Sequence, residues 1–301
     1  MASTSQGISI QMNWGQGGQG EQEGLSLPPD QYVKVGQINT RYWLLGDKGS
    51  TVILLHGGGG SVEFWSYNIG ALAQYHRVYA VDMVGSGRSD KPSASYSLTY
   101  QAQFIKDFMD TLSIESATLV GNSMGGGAAL QFAMMFPQQA NKLVLVNSLG
   151  LGREIAIGIR LATLPFVCRL LRPSRRMIMS MLKHNFYDLT LIPKEWIEIR
   201  YPVFMLPGRK KALLELARIN FNLFGVRSQV FRPIVDKLAT ITAPTLVIWG
   251  KQDRILPVAH AHIAAKGLPN ARLHIFDPCG HHPHLERPEE FNALVLEFLG
   301  S

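Results

Sequence analysis

The sequence predicts an α/β fold with a mostly parallel central sheet, and three observations support this. Short, uninterrupted apolar runs recur along the chain, as expected for parallel strands that are covered on both faces. Stretches with helical spacing separate these runs. The alternation stops after Asn147 and resumes near Pro244, which indicates one inserted helical segment. The apolar runs are Val52–Leu55, Val78–Val81, Thr118–Val120, Leu143–Val146 and Thr245–Ile248.

The elements outside these runs follow from local composition. Residues 1–29 are rich in Gly, Gln and Ser and poor in apolar anchors, so we expect a flexible tail. Tyr32–Val35 and Ile38–Leu45 alternate on either side of a glycine and predict a hairpin. Gln101–Leu112 and Met124–Phe136 have helical spacing, and a proline directly after the second predicts its end.

These elements divide the chain into a core and an insertion. We expect the core to comprise residues 30–148 and 236–301, which carry the strand and helix alternation. Residues 149–235 contain helical stretches rich in Leu, Met and Arg, without a βαβ unit. The sequence therefore predicts one α/β core with a helical lid inserted into it.

The positive charge of the chain lies in one segment. The formal net charge is +7, yet Gly150–Gln229 holds 14 Lys and Arg against five Asp and Glu, leaving 15 against 17 elsewhere. No nucleic-acid-binding motif accompanies this charge, and its neighbours are Leu, Ile, Met and Phe. We therefore expect no nucleic-acid partner, and favour lipid or an acidic substrate as the counterpart.

Composition also bears on location and cofactors. The N-terminal stretch has no apolar core of a secretory signal, and no run of 18 apolar residues predicts a membrane-spanning helix. Cys168 and Cys279 are the only cysteines, too few for a disulfide framework and without metal-ligand spacing. We predict a cytoplasmic protein with neither a metal nor another cofactor.

The most informative motif is Gly121–Gly125, of the form G-x-S-x-G, which lies between a predicted strand and a predicted helix. A sharp turn from strand to helix strains the backbone of Ser123, and small residues two positions away avoid a collision. The turn exposes the hydroxyl. This pattern indicates that Ser123 is a nucleophile, provided that a base and an orienting carboxylate follow.

Both partners are present downstream. Asp253 follows the apolar run Thr245–Ile248, where a loop at the carboxyl end of a strand can point into a crevice. His281 follows the apolar stretch Leu273–Phe276. Asp82 is a rival carboxylate, but glycines follow it closely and favour a role in bracing its loop. The sequence therefore predicts a Ser, Asp, His constellation in that chain order.

With these residues in place, the chain resembles the α/β-hydrolase superfamily from residue 30 to 300. The resemblance includes the chain order of Ser123, Asp253 and His281, which is the order of that superfamily. It also rests on three further segments: the glycine loop His56–Gly60, Asp82–Asp90 after the next strand, and Gly280–Phe291 near the end.

The resemblance implies a role for each residue. Ser123 would attack a substrate carbonyl, His281 would take and return the proton, and Asp253 would fix the imidazole tautomer. The backbone N–H groups of Met124 and Gly58 would form the oxyanion hole. His56, which precedes the glycine loop, is expected to order that loop by hydrogen bonding.

Within the superfamily, the glycine loop and the serine motif look most like the meta-cleavage-product hydrolases, which break a carbon–carbon bond. Arg200 occupies the place of a lid arginine that binds the acidic end of the substrate in that group. Two positions depart from the group, since His282 replaces a tryptophan and Tyr67 replaces an asparagine. The substrate contacts that we predict are Gly59, Trp65, Asn122, Arg200 and His282.

These departures and the aliphatic lid favour a serine esterase of lipase-like type, which cleaves a carboxylic ester with a hydrophobic acyl group. Carbon–carbon bond hydrolysis is the alternative. A third hypothesis is a ligand-binding receptor that keeps the hydrolase fold. Two roles for the lid also stay open: an apolar cover of the active site, which we favour, or a basic surface in peripheral contact with a membrane.

Overall fold

The computed structural model describes residues 27–164, 167, 174–192 and 195–300. Most of the tail expected over residues 1–29 therefore lies outside the described residues, as does Cys168. Within the described ranges, no helix is both long enough and apolar enough to cross a membrane.

Eight of the described strands form one sheet that is mostly parallel. The ten described strands are β1 Gln31–Val35, β2 Ile38–Leu45, β3 Thr51–Leu55, β4 Arg77–Val81, β5 Ala117–Asn122, β6 Ala140–Val146, β7 Phe221–Asn222, β8 Gly225–Val226, β9 Thr245–Gly250 and β10 Ala271–Phe276. The order in the sheet is β1-β2-β4-β3-β5-β6-β9-β10, whereas β7 and β8 form a separate antiparallel pair. Strand β2 is antiparallel to both of its neighbours, and all later pairs in the sheet are parallel. The prediction of a mostly parallel sheet is confirmed.

Helices cover both faces of this sheet. The described helices are α1 Ile69–Ala73, α2 Leu98–Thr111, α3 Met124–Met135, α4 Ile157–Leu161, α5 Arg175–Asn185, α6 Glu195–Phe204, α7 Arg209–Asn220, α8 Ser228–Val235, α9 Ala259–Gly267, α10 Pro283–Glu286 and α11 Pro288–Gly300. On β3, Ile53 belongs to the apolar cluster of α2, α3 and α9, while Leu54 belongs to that of α1 and α11. Alternate side chains thus serve opposite faces, which explains the uninterrupted apolar runs.

The elements that were predicted locally are confirmed with small shifts in their ends. The hairpin forms around Gly36, which has φ of +59°. Helix α2 begins at Leu98, three residues before the predicted start, because Ser97 Oγ accepts a hydrogen bond from Tyr100 N at 3.2 Å and caps it. Helix α3 ends at Met135, one residue before the predicted end at Phe136.

Helices α4 to α8 and the β7–β8 pair lie between β6 and β9, and we call this region the insertion. Helices α5 and α6 share an apolar cluster with Phe64 and Leu285, which come from outside the insertion. Ile157 in α4 and Phe224 between β7 and β8 are 72% and 74% exposed. Both roles of the insertion, as a cover of the active site or as a surface in contact with a membrane, stay hypotheses.

Candidate active site

Ser123 lies at the junction between β5 and α3 in a strained conformation, with φ of +55° and ψ of −115°. The small neighbours are required, as predicted. A Cβ on Gly121 would lie 2.4 Å from the backbone of Gly125, and a Cβ on Gly125 would lie 2.3 Å from Leu55 O. Such contacts are far inside van der Waals distance, so only glycine allows α3 to pack this closely against β5 and β3.

His281 and Asp253 meet at the carboxyl ends of the strands. His281 Nδ1 lies 2.7 Å from Asp253 Oδ2, and both side chains are almost completely buried. Asp253 Oδ1 accepts hydrogen bonds from Ile255 N at 2.7 Å and Leu256 N at 3.1 Å. A carboxylate with this set of donors acts only as an acceptor, so His281 carries its proton on Nδ1 and leaves Nε2 free to accept one.

A residue that the sequence did not single out completes this arrangement. Asn147, which follows β6 and has φ of +46°, donates from Nδ2 to Asp253 Oδ2 at 2.6 Å. Its Oδ1 accepts from Gly250 N at 3.3 Å, so the amide orientation is fixed by the backbone of β9. Asn147 therefore holds the carboxylate that faces His281.

The peptide of His281 is tied to the serine turn through Asn122. Asn122 Nδ2 donates to His281 O at 3.2 Å and to Val146 O at 3.1 Å. Among the described residues, Ser123 Oγ makes no hydrogen bond to His281. In free enzymes such contacts are often long and tighten when substrate binds, so the absence of this hydrogen bond does not argue against proton transfer.

The glycine loop lies directly against Ser123. A Cβ on Gly57 would be 3.1 Å from Ser123 Cβ, and a Cβ on Gly58 would be 3.8 Å from Met124 Cε. Met124 begins α3, where helical N–H groups have no partner within the helix. The two predicted oxyanion donors, on Gly58 and Met124, therefore belong to adjacent segments.

His56 orders this loop, as expected. Its Nδ1 donates to Gly57 O at 2.8 Å, and its Nε2 accepts from Met83 N at 3.1 Å. Burial lowers the pKa of His56 to about 4, so the ring stays neutral at physiological pH. Asp82 likewise braces its loop by accepting from Val62 N and Arg88 N, both at 2.7 Å.

His282 is held in one neutral tautomer. Its Nδ1 lies 3.2 Å from Asn122 Oδ1, which can only accept, and its Nε2 lies 3.2 Å from Asn185 Nδ2, which can only donate. Burial, followed by repulsion from His281, lowers the pKa of His282 well below its ordinary value. The side chain of Asn122, for which substrate contact was predicted, therefore forms hydrogen bonds within the protein.

Trp65, another predicted substrate contact, is completely buried and stacks on His284 with ring centroids 4.4 Å apart. Both ring nitrogens of His284 lack a hydrogen-bond partner among the described residues. Burial lowers the pKa of His284 to about 3. The site therefore contains three buried neutral imidazoles, those of His56, His282 and His284.

These imidazoles predict acid lability. In the unfolded chain each binds a proton below about pH 6.5, whereas in the folded protein each stays neutral to much lower pH. Because the unfolded state then binds more protons, stability falls as the pH decreases from 6.5. At about 1.4 kcal/mol per proton and pH unit, three groups lower the free energy of unfolding by roughly 6 kcal/mol between pH 7.5 and 5. Urea unfolding at several pH values measures this slope.

His284→Phe is the matched control for this prediction. Phenylalanine keeps the ring packing against Trp65 and Phe291 but has no nitrogen to protonate. We expect the variant to lose about a third of the slope and to unfold at higher urea at pH 5. An unchanged pH dependence would contradict the assignment of His284 as a buried neutral group.

Two buried arginines lie beside the glycine loop. Arg200 and Arg209 are 7% and 1% exposed, and their guanidinium groups lie 5.5 and 5.3 Å from the ring of Phe204. Arg209 Nη1 donates to Gly85 O at 3.0 Å, and a Cβ on Gly59 would lie 3.4 Å from Arg209 Nη2. Arg200 also lies over the ring of Phe64 at 4.6 Å.

Among the residues that the structure describes, no ion pair compensates the charges of these arginines. Within the described ranges, neither guanidinium contacts a carboxylate, and Nε of both and Nη2 of Arg209 have no hydrogen-bond partner. Burial, and for Arg200 also repulsion by Arg209, lowers the pKa of Arg200 to about 9 and that of Arg209 to about 10. Buried cations without a partner are costly, so these two guanidinium groups are suited to binding an anionic group of a ligand. Arg209 was not singled out from the sequence.

No group of three His, Cys, Asp or Glu side chains in the described part of the chain is arranged to hold a metal ion.

The chain is similar to known hydrolases in sequence and in structure. A sequence model of the alpha/beta hydrolase family matches residues 52–294. The 2-hydroxy-6-oxononadienedioate/2-hydroxy-6-oxononatrienedioate hydrolase of Comamonas testosteroni is 33% identical over 262 residues, covering 84% of this chain and 89% of that protein. The dihydrolipoyllysine-residue acetyltransferase component of the acetoin cleaving system of Cupriavidus necator is 35% identical over 270 residues, 90% of this chain and 69% of that protein. The structure is similar to that of the meta-cleavage product hydrolase of Pseudomonas fluorescens IP01, with a TM-score of 0.76, 28% identity, and coverage of 91% of this chain and 98% of the other.

Proposed function

This chain is a hydrolase of the alpha/beta hydrolase family, and from this we propose that it cleaves a carboxylic ester with a hydrophobic acyl group through a Ser123, His281 and Asp253 triad. One observation carries the proposal. A buried Asp253–His281 pair at 2.7 Å accompanies a serine at φ of +55° on a strand-to-helix turn. That arrangement supplies a nucleophile, a base and an orienting carboxylate.

The reaction proceeds in two halves. Ser123 Oγ bonds to the carbonyl carbon while its proton moves to His281 Nε2, and the carbonyl oxygen takes the negative charge. The N–H groups of Gly58 and Met124 stabilise this oxyanion. The bond to the alcohol oxygen then breaks, and His281 returns the proton to that oxygen. A water molecule attacks the acyl-enzyme in the same way, giving the acid and restoring Ser123.

Two positions that depart from the meta-cleavage-product group support an ester over a diketone as the substrate. His282 forms hydrogen bonds to Asn122 and Asn185 at the position where that group has a tryptophan, and Tyr67 lies where that group has an asparagine.

A second function, hydrolysis of a carbon–carbon bond in a carboxylate-bearing diketone, is favoured by Arg200 and Arg209. Their unpaired guanidinium nitrogens would meet a carboxylate.

A substrate panel on the wild-type protein and on Arg200→Met separates these functions. We expect turnover of p-nitrophenyl acyl esters and monoacylglycerols to exceed that of a dienoic diketone. Methionine keeps the contact with Phe64 but removes the charge, so KM for a carboxylate-bearing substrate should rise about 10- to 100-fold, as for loss of a charged hydrogen bond. KM for a neutral ester should change less than about threefold, because a neutral ester makes no ion pair.

Arg175→Met is the matched control, because Arg175 is exposed and pairs with Glu198 on the surface. This substitution should leave KM for both substrates unchanged. A diketone cleaved far faster than every ester would establish the second function instead. Absence of turnover across the whole panel would leave the ligand-binding receptor as the remaining hypothesis.

A further inference from the structure

The end of α5 lies directly against the peptide that carries His281. His281 N donates to Asn185 O at 2.7 Å, and Asn185 Nδ2 lies 3.2 Å from His282 Nε2. A Cβ on Gly280 would lie 2.5 Å from Asn185 O and 2.7 Å from Tyr187 N. The insertion therefore contacts the loop of the proposed base through the backbone, at a distance that only glycine permits.

Glu286 links the same two segments through its side chain. Its Oε1 accepts from Gly280 N at 3.0 Å, and its Oε2 accepts from Tyr187 N at 2.8 Å. The residue is 6% exposed, and no Lys or Arg of the described chain forms an ion pair with it. Burial raises the pKa of Glu286. A buried carboxylate without a cation is costly, and here two backbone N–H groups from different segments stabilise it.

The structure assigns a positioning role to the end of α5 and Glu286: together they fix the backbone of His281 relative to Asp253 and Ser123. This inference rests on the proposed function of His281 as the base. Asp253 fixes the imidazole at Nδ1, and Asn122 holds His281 O. The N–H side of the same peptide is held by Asn185, with Glu286 holding the preceding residue.

On this side of the site, the insertion therefore helps to position the proposed base and does not act only as a cover. A shift of about 1 Å in a reacting group can reduce the rate about 100-fold. Loss of the Glu286 bridge frees the loop at Gly280, next to the base. The expected consequence is a slower chemical step with little change in substrate affinity.

Glu286→Gln tests this inference, because the amide keeps the size but offers only one acceptor to two N–H donors. We expect kcat per active site, counted by fluorophosphonate labelling, to fall about 10- to 100-fold with KM changed less than about threefold. The His281 Nδ1 proton, observed by NMR, should exchange faster with solvent than in the wild type. Glu289→Gln, an exposed position three residues away, is the matched control and should change neither quantity.

Asn185→Ala provides a second test if Glu286→Gln does not fold. It removes the bond to His282 and leaves the carbonyl that His281 N contacts, so a smaller loss of kcat is expected, about three- to tenfold. Folded variants with the kcat and the Nδ1 proton exchange of the wild type would overturn the inference. A wild-type protein with a protected Nδ1 proton but no labelling and no turnover would instead refute the proposed function.

Discussion

Ser123→Ala is expected to lower kcat for p-nitrophenyl esters by about 10⁵- to 10⁶-fold, which is the scale of loss when the nucleophile of a serine hydrolase triad is removed. The alanine side chain has no oxygen to bond to the carbonyl carbon, and His281 then has no proton to accept. Stability should change little, since the hydroxyl makes no hydrogen bond to the base in the described structure. The release of p-nitrophenol and covalent labelling by a fluorophosphonate, located by mass spectrometry, measure the effect.

Ser148→Ala is the control for the nucleophile. Ser148 is buried beside the same turn, since a Cβ on Gly126 would lie 2.6 Å from its Oγ, and that Oγ donates to Leu149 O. A buried serine without an adjacent base should be neither labelled nor required, so turnover should stay within a few-fold. Labelling that persists in Ser123→Ala and disappears in Ser148→Ala would mean that Ser148, and not Ser123, is the nucleophile.

The fold was predictable where one local property decides it. Residues Val52–Leu55 are apolar without interruption because both faces of β3 are covered, so the run predicts a central strand by itself. The glycines around Ser123 are likewise visible in sequence, because the turn excludes a Cβ at each. In contrast, β7 and β8 have only two residues each, too few for any alternation to show.

The sequence located the candidate site residues that lie in a motif, and it did not locate those that act through distant contacts. Asn147 is 106 residues from Asp253, and Tyr187 is 99 residues from Glu286. Neither spacing recurs as a pattern, because the contact arises only when β6, β9 and α5 pack together. Arg209 is similar, since it reads as one more charge in a basic segment until its burial beside Gly59 is known.

Asp253→Asn is expected to reduce kcat about 10⁴-fold near neutral pH, the magnitude known for the corresponding change in a serine protease triad. The hydrogen bonds around Asp253 determine how the amide of the introduced asparagine is oriented. Two backbone donors, Ile255 N and Leu256 N, face Oδ1, so the single carbonyl oxygen of asparagine should take that side. Its NH₂ group then faces His281 and the Nδ2 of Asn147.

This arrangement forces the wrong imidazole tautomer. With an NH₂ donor opposite it, His281 Nδ1 must accept, so the proton moves to Nε2 and the ring can no longer take the proton of Ser123. NMR of the His281 ring nitrogens should show this exchange of protonation, while KM changes little. Asp277→Asn is the control, because Asp277 is exposed and its side-chain partners within the described chain are Lys251 and Gln252. Full activity in Asp253→Asn would mean that another carboxylate orients the base; Asp82 is unsuited to this, since Val62 N, Arg88 N and Arg41 already occupy its oxygens.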